Sequence, residues 1–185
     1  MPKARRSNNS REHILDAAQK VAIEKGAAKV SLDSVAKEAG LTKGGVLYNF
    51  PSKEALISGM LERLLGHHCP LVDERRAELE GQPNPTLQAT LGVIRTLETV
   101  DKNIPMAILA AAAQNLELLQ PMRDEIKQRY QQICSESTDP DHASLLWVAG
   151  EGLMLMDMLG LLPFGSEQKD QLLKNLEQGA RELQT

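Results

Sequence analysis

A chain of 185 residues and 20.3 kDa holds one helical domain, or a small reading head with a larger partner-binding body, and is too short for a multidomain enzyme. Apolar residues make up 42% and charged residues 25%, enough for a packed core, while only Tyr48, Phe50, Tyr130, Trp147 and Phe164 are aromatic, which disfavours strand-rich folds. The net charge of −4 is unevenly spread: residues 1–55 carry ten Lys and Arg against six Asp and Glu, a net +4, and residues 56–185 carry eleven against nineteen, a net −8.

Cys69 and Cys134 lie far apart in sequence, without the density of a disulfide scaffold or the spacing of a zinc module, and both are expected as reduced thiols. The start, Met1 to Arg11, has Lys3, Arg5, Arg6 and Arg11 but no apolar signal-peptide core, so a cytoplasmic protein is expected.

Ser10 is a candidate N-cap for a first helix over Arg11–Lys25, with Ile14, Ala18, Val21 and Ala22 inward and Gly26 as its stop. Ser31 caps a second, short helix with Val35, Ala36 and Ala39 inside, and Gly40 ends it. Thr42 caps a third reaching Asn49. Pro51 forces a break, and Ser52 opens a fourth helix carrying Leu56, Met60, Leu64 and Leu65.

Gly81, Pro83 and Pro85 mark a short loop over Glu80–Thr86, followed by a fifth helix around Leu87, Leu91, Ile94 and Leu97. Pro105 and Pro121 suit the first turns of two further helices, an Ala-rich one over Met106–Leu119 and a charged one over Met122–Cys134. A nearly apolar helix is predicted over His142–Leu162, and a last amphipathic one carries Leu172, Leu173, Leu176, Ala180 and Leu183. The His142–Leu162 segment has bilayer length, but Glu151 and Asp157 would each cost about 2.5 to 3.5 kcal/mol there, so no membrane partner is expected.

The stretch from Ser31 to Phe50 has the layout of a helix-turn-helix: a short helix, a tight turn at Gly40 and a second helix entering at Thr42, with Val35, Ala36, Leu41, Val46 and Phe50 as its core. Its continuation, Leu47-Tyr-Asn-Phe-Pro-Ser-Lys-Glu-Ala-Leu56, closely resembles the N-terminal DNA-binding domain of TetR-type transcriptional repressors, over about Arg11 to Leu61. The all-helical remainder, ending in two hydrophobic helices, is similar to that family in architecture. The resemblance implies an all-α homodimer with a DNA-binding domain, here residues 1–55, and a helical ligand-binding and dimerisation domain, residues 56–185. No cofactor is expected.

A reading helix must enter a major groove about 12 Å wide with its N-terminal residues at base edges. Lys43 is long enough for a base edge or a phosphate, and Gly44 and Gly45 bring backbone close to DNA at a propensity cost near 1 kcal/mol each. The resemblance adds Ser31, Thr42, Tyr48, Asn49 and Lys53 to the DNA-contacting set. Leu47 replaces a second aromatic residue frequent in that family; it contacts a thymine methyl or packs. Lys3, Arg5 and Arg6 form either an arm on the DNA or a solvated basic tail.

On a helical wheel Trp147, Glu151, Met154 and Met158 fall within about 60° of one another, with Leu145, Ala149, Gly152 and Met156 nearly opposite. The second set, joined to Leu172, Leu176, Ala180 and Leu183, is the candidate dimer interface; its alternative is packing within the chain. The first set joins a carboxylate to the chain's sole Trp and two Met side chains, a face suited to an amphipathic or cationic organic ligand, with Gln114 and Tyr130 as further candidates. Alternatively Glu151 pairs with Arg95, Arg123 or Arg129, or reaches solvent, and Trp147 is core.

His67, His68 and Cys69 are consecutive, so their side chains diverge and no metal site is expected. The four histidines have no Ser, Asp or Glu partner at a recognisable catalytic spacing, which argues against an enzyme. The expected function is a dimeric repressor that binds a near-palindromic operator and is released by a small organic inducer. The rival is a constitutive helical DNA- or protein-binding dimer with a filled body and no inducer.

Overall fold

The computed structural model describes residues 3–96 and 103–183, with side chains from Ser10 onward. Nine α-helices build these residues: α1 (Lys3–Lys25), α2 (Leu32–Ala39), α3 (Lys43–Asn49), α4 (Lys53–Glu78), α5 (Pro85–Thr96), α6 (Asn103–Ala112), α7 (Gln120–Glu136), α8 (Pro140–Met158) and α9 (Ser166–Glu182). Short 3₁₀ turns follow α1 and α6, and there is no strand among the described residues. The all-α expectation holds.

The described residues divide into two compact units, one within Met1–Leu65 and Val100–Arg123, the other within Gly66–Thr99 and Asp124–Thr185. In the first, Ile14, Leu15, Ala18 and Val21 of α1 share a core with Val35, Val46, Phe50 and the start of α4. Ile104, Ala107 and Ile108 of α6 close the same core, so a segment well beyond the reading head in sequence completes its packing. Leu41 departs from expectation: it is 36% exposed, on the outer side of the turn after Gly40.

Capping by nearby side chains sets the helix starts of this unit. Ser31 Oγ accepts from the Ser34 amide at 3.1 Å while Ser34 Oγ accepts from the Ser31 amide at 3.0 Å, a reciprocal box with Ser in place of the usual Glu. Gly40 ends α2 at φ 65°, a left-handed conformation that a Cβ would strain. Thr42 Oγ1 caps α3 through the Gly45 amide, and Ser52 Oγ caps α4 through the Ala55 amide, both at 3.1 Å.

Two boundaries here differ from the sequence expectation. The first helix begins at Lys3, not after Ser10, so Lys3, Arg5 and Arg6 lie on helical backbone and form no extended arm. Lys, Ala and Arg are strong helix formers, and no Gly or Pro between residues 3 and 11 stops the helix from propagating backwards. The Ala-rich helix stops at Ala112, because Asn115 Oδ1 accepts from the Glu117 amide at 3.1 Å and starts a separate 3₁₀ turn over Leu116–Leu119.

In the second unit α5 is the central helix: every residue from Thr86 to Ile94 is buried. Leu97, expected on this helix, lies outside the described residues. α8 crosses α5 at Gly150, where an added Cβ would collide with Leu91. Arg76 Nη2 donates to Glu136 Oε1 at 2.8 Å, and the Thr86 amide donates to Glu136 Oε2 at 2.8 Å, joining α4, α5 and α7. Arg95 Nε and Glu177 Oε1, 2.9 Å apart, join α5 to α9.

α8 starts with Asp139 Oδ1 accepting from the His142 amide at 3.1 Å and Pro140 in its first turn, and ends before the left-handed Gly160. Among the described residues no helix is long and apolar enough to cross a membrane.

Candidate functional site

α3 presents its outer face to solvent because only Val46, along its short length, is needed inside; Phe50, just beyond it, completes that anchor. Gly59 of α4 lets the Phe50 ring sit close, since a Cβ there would lie 2.7 Å from Phe50 Cε1. Arg11 stacks its guanidinium 4.9 Å from the Phe50 ring centroid and bonds Glu62 at 2.8 Å, fixing α1 against α4. The reading helix is thus held from behind by packing.

On the outer face Tyr48 is 83% exposed, and Thr42, Lys43, Gly44 and Leu47 are exposed with it. Lys43 Nζ donates to Asp33 Oδ2 at 3.0 Å, an ion pair between the starts of α3 and α2. Asp33 was not among the expected residues; only the helix-turn-helix geometry brings two positions ten apart together. Both partners are solvent-exposed, so the pair costs little to open.

Gly44 and Gly45 have no internal explanation. A Cβ at Gly44 would meet nothing nearer than Thr42 Oγ1 at 3.9 Å, and at Gly45 nothing nearer than the same atom at 3.5 Å, both ordinary contacts. Neither has a positive φ.

Asn49 is half-buried: its amide Nδ2 donates to Gly45 O at 3.2 Å and to Ser10 Oγ at 3.4 Å. Ser31 is half-buried and engaged with Ser34, whereas Lys53, in the first turn of α4, is exposed. Behind this face Lys20 and Lys25 each contact Glu38 at 2.7 Å, and their hydrogen bonds pull its carboxyl down from 4.5 to about 2.

In the second unit the Tyr130 ring of α7 packs on Trp147 of α8, with centroids 5.6 Å apart and planes at 40°. Trp147 Nε1 donates to Glu151 Oε1 at 3.2 Å, one helical turn on. Glu151 is half-buried, and burial raises its pKa above the ordinary carboxylate value, with the Trp147 hydrogen bond acting weakly the other way.

Two of its candidate arginine partners bind other acids. Arg95 lies with Glu177 and, at 4.0 Å, Asp170; Arg129 binds Asp73 at 2.8 Å and Glu125 at 2.7 Å; Arg123 belongs to the other unit. Among the described residues Trp147 supplies the polar contact of Glu151, and no charged group acts on it.

Gln114 belongs to the first unit. It lines a hollow of about 30 Å³ in the first unit, with Lys53, Glu54, Ile57, Ala111, Asn115 and Leu118, room for little more than a water. Met154 is exposed and Met158 half-buried on α8.

Of the expected dimer residues, Leu145 is 70% exposed, Ala149 and Met156 are exposed and Gly152 is half-buried. Ala180 and Leu183 are corrected: both are buried in their own chain's core with Leu87, Leu91, Ile133 and Ala143, and Leu176 packs against the same cluster. Asn84 Nδ2 donates to Ala180 O at 3.1 Å and to Leu183 O at 2.9 Å, tying that end of α9 to the start of α5. Leu172 is half-buried.

The chain matches the family described as "Bacterial regulatory proteins, tetR family" over residues 14–60 and "Tetracyclin repressor-like, C-terminal domain" over residues 84–181. The HTH-type transcriptional regulator AcrR of Shigella flexneri is 29% identical over 134 residues, 72% of this chain and 61% of AcrR, so the chain spans less than two thirds of that curated relative. Two crystal structures share the fold. The multidrug binding protein EbrR complexed with ethidium has a TM-score of 0.65 at 23% identity, covering 90% of this chain and 98% of its own. A Saccharomonospora viridis protein in complex with choline has a TM-score of 0.72 at 18% identity, covering 92% and 96%. With a helix-turn-helix head in place and a C-terminal match over more than half its length, this chain belongs to the TetR family of transcriptional regulators.

Proposed function

We propose that the chain is a dimeric repressor that reads a near-palindromic operator with α3 and lets go when a small organic cation binds beside Glu151. The observation that carries the DNA half is the outer face of α3: a large aromatic ring left in solvent beside two glycines that nothing inside the protein requires. Lys43, Tyr48 and Thr42 act at base edges or phosphates there, flanked by Lys53, while Gly44 and Gly45 admit close backbone approach. Leu47, exposed beside Tyr48, suits a thymine methyl. Ser31 and Asn49 serve mainly to shape the turn and seat α3, since their side chains are engaged within the chain.

In this reading residues 1–55 are the reading domain and 56–185 the effector and dimer domain, working in the cytoplasm. Dimerisation uses α8, where Leu145, Val148, Ala149, Gly152, Met156 and Leu159 recur at three- and four-residue spacing and so share one face. Val148 is 57% exposed, and such a row of apolar groups in water favours a second copy of itself about a two-fold axis. Two heads then bind grooves about 34 to 36 Å apart.

The effector half rests on Glu151, a half-buried carboxylate with the neutral N–H of Trp147 as donor, the Tyr130 ring packed on that Trp147, and no cation among the described residues. A cationic ligand supplies the missing charge and rests on the aromatic faces. Ethidium and choline, bound by EbrR and the Saccharomonospora viridis protein respectively, are both organic cations. Lowering operator affinity 100-fold requires the ligand to prefer the poorly fitting state by about 2.7 kcal/mol.

The test is selection of duplexes from a randomised library at two salt concentrations, then ethidium titration of the selected complex. A salt-sensitive near-palindrome released by ethidium is the expected result. No enriched sequence at either salt would sink the operator reading, and an enriched sequence held at saturating cation would leave the constitutive dimer.

A further inference from the structure

Glu151 sits where its ionised form is disfavoured. Ionised, it is partly withdrawn from water and, among the described residues, faces no positive group; the neutral Trp147 N–H, at 3.2 Å, offsets only part of that desolvation. Protonated, it loses the unfavourable charge yet keeps its acceptor oxygen, so the Trp147 hydrogen bond survives in both states and the local geometry need not change.

Several charges of the elements packed against α8 are paired with one another. On α5 Arg95 lies with Glu177 and Asp170, and on α9 Arg181 lies with Glu177 and Lys174 with Asp170. α7 contributes Arg129, bound to Asp73 and Glu125, the exposed Lys127, and Tyr130 and Cys134. On α8 itself Asp157 pairs with Lys169, and Asp141 and His142 are exposed in its first turn. Among the described residues, burial raises the carboxyl's pKa and the Trp147 hydrogen bond lowers it.

Resting on the reading of Glu151 as the anchor of a cationic effector, we infer that this is a proton–cation exchange site. An organic cation binds the ionised carboxylate, and binding to the protonated form breaks its O–H bond and releases that proton to solvent. Cation and proton neutralise the same charge and exclude each other. The sign follows: as pH falls the proton wins, cation affinity drops, and the regulator stays on its operator at effector concentrations that release it at higher pH.

Trp147 is the chain's sole tryptophan and its N–H touches the titrating group, so its fluorescence reports the exchange directly. The first measurement is Trp147 emission of the full unliganded chain from about pH 4 to about pH 8, for wild type and Glu151→Gln, with circular dichroism to confirm folding of both. The expected result is a transition above the ordinary carboxylate range in wild type that is missing from the variant. A transition at or below that range, or one that persists in Glu151→Gln, overturns the inference.

The second measurement is ethidium affinity over the same range, ethidium carrying a permanent charge. Wild-type affinity is expected to fall by up to about tenfold per pH unit on the acid side of the transition, and Glu151→Gln to bind weakly with a flat profile. Trp147→Phe, which keeps a ring but removes the N–H favouring the ionised form, shifts the wild-type profile to higher pH. A flat wild-type profile with weakened Glu151→Gln refutes the exchange while leaving the cation site standing. Ethidium that binds wild type and Glu151→Gln equally, or neither, ends the effector reading, and the exchange with it.

Discussion

Replacing both glycines of α3 by alanine separates what the fold wants from what the proposed DNA partner wants. Gly44 and Gly45 are the second and third residues of a seven-residue helix, and each Cβ would find only ordinary contacts, at 3.9 Å and 3.5 Å from Thr42 Oγ1. No positive φ has to be surrendered, and the Gly45 amide that donates to Thr42 is retained in alanine. Each substitution should therefore stabilise the folded chain by roughly 0.5 to 1 kcal/mol, together about 1 to 2. For a chain of this size that raises the thermal midpoint by roughly 2 to 8 °C.

If the glycines serve close approach to DNA, the same double variant loses operator affinity by at least about tenfold, since two methyl groups enter the space between helix and groove. Thermal unfolding followed by circular dichroism gives the first quantity, and a binding isotherm on a selected duplex the second. A stabilised variant that binds DNA as wild type does would refute the assignment of the glycine pair to the interface. A destabilised variant would refute the packing argument itself.

Lys43→Ala and Tyr48→Ala should each abolish specific operator binding in mobility-shift assays with the dimer intact by sedimentation, and Lys43→Ala should reduce the salt slope by about one if it contacts phosphate. Wild-type binding by both would place the reading surface elsewhere. Leu145→Glu, at a position 70% exposed, should leave the circular dichroism spectrum unchanged while converting the dimer to monomer by light scattering. An unaltered mass for that variant would remove α8 from the interface. Glu38 links two lysines with its carboxyl lowered from 4.5 to about 2, so its contribution to stability is present above 4.5 and disappears as pH falls through about 2. The stability advantage of wild type over Glu38→Gln should shrink across that window in acid-dependent thermal scans; a constant difference would show that the lysine contacts are not formed in solution.

Sequence and tertiary structure divide this protein along the range of the interactions involved. The starts and stops of α2, α3 and α4 were legible because Ser31, Thr42, Ser52 and Gly40 act within three or four residues of themselves, before any tertiary contact exists. Together with the stretch from Leu47 to Leu56 they already carry the helix-turn-helix and its likeness to a family. The pairing of Trp147 with Glu151 was legible for the same reason, since one helical turn brings positions four apart together.

Periodicity cannot say which neighbour covers an apolar stripe. Leu172, Leu176, Ala180 and Leu183 read as one face, yet Asn84 and the buried helix α5 draw Ala180 and Leu183 into their own chain's core. The polar residues of the Ala-rich segment offered no sign that Asn115 would end the helix and leave Gln114 in a different unit from Trp147. The partner of Glu151 was likewise a matter of tertiary structure. Arg95 and Arg129 were equally available to it by sequence, and the tertiary arrangement binds both to other acids, leaving Trp147 as its polar contact among the described residues.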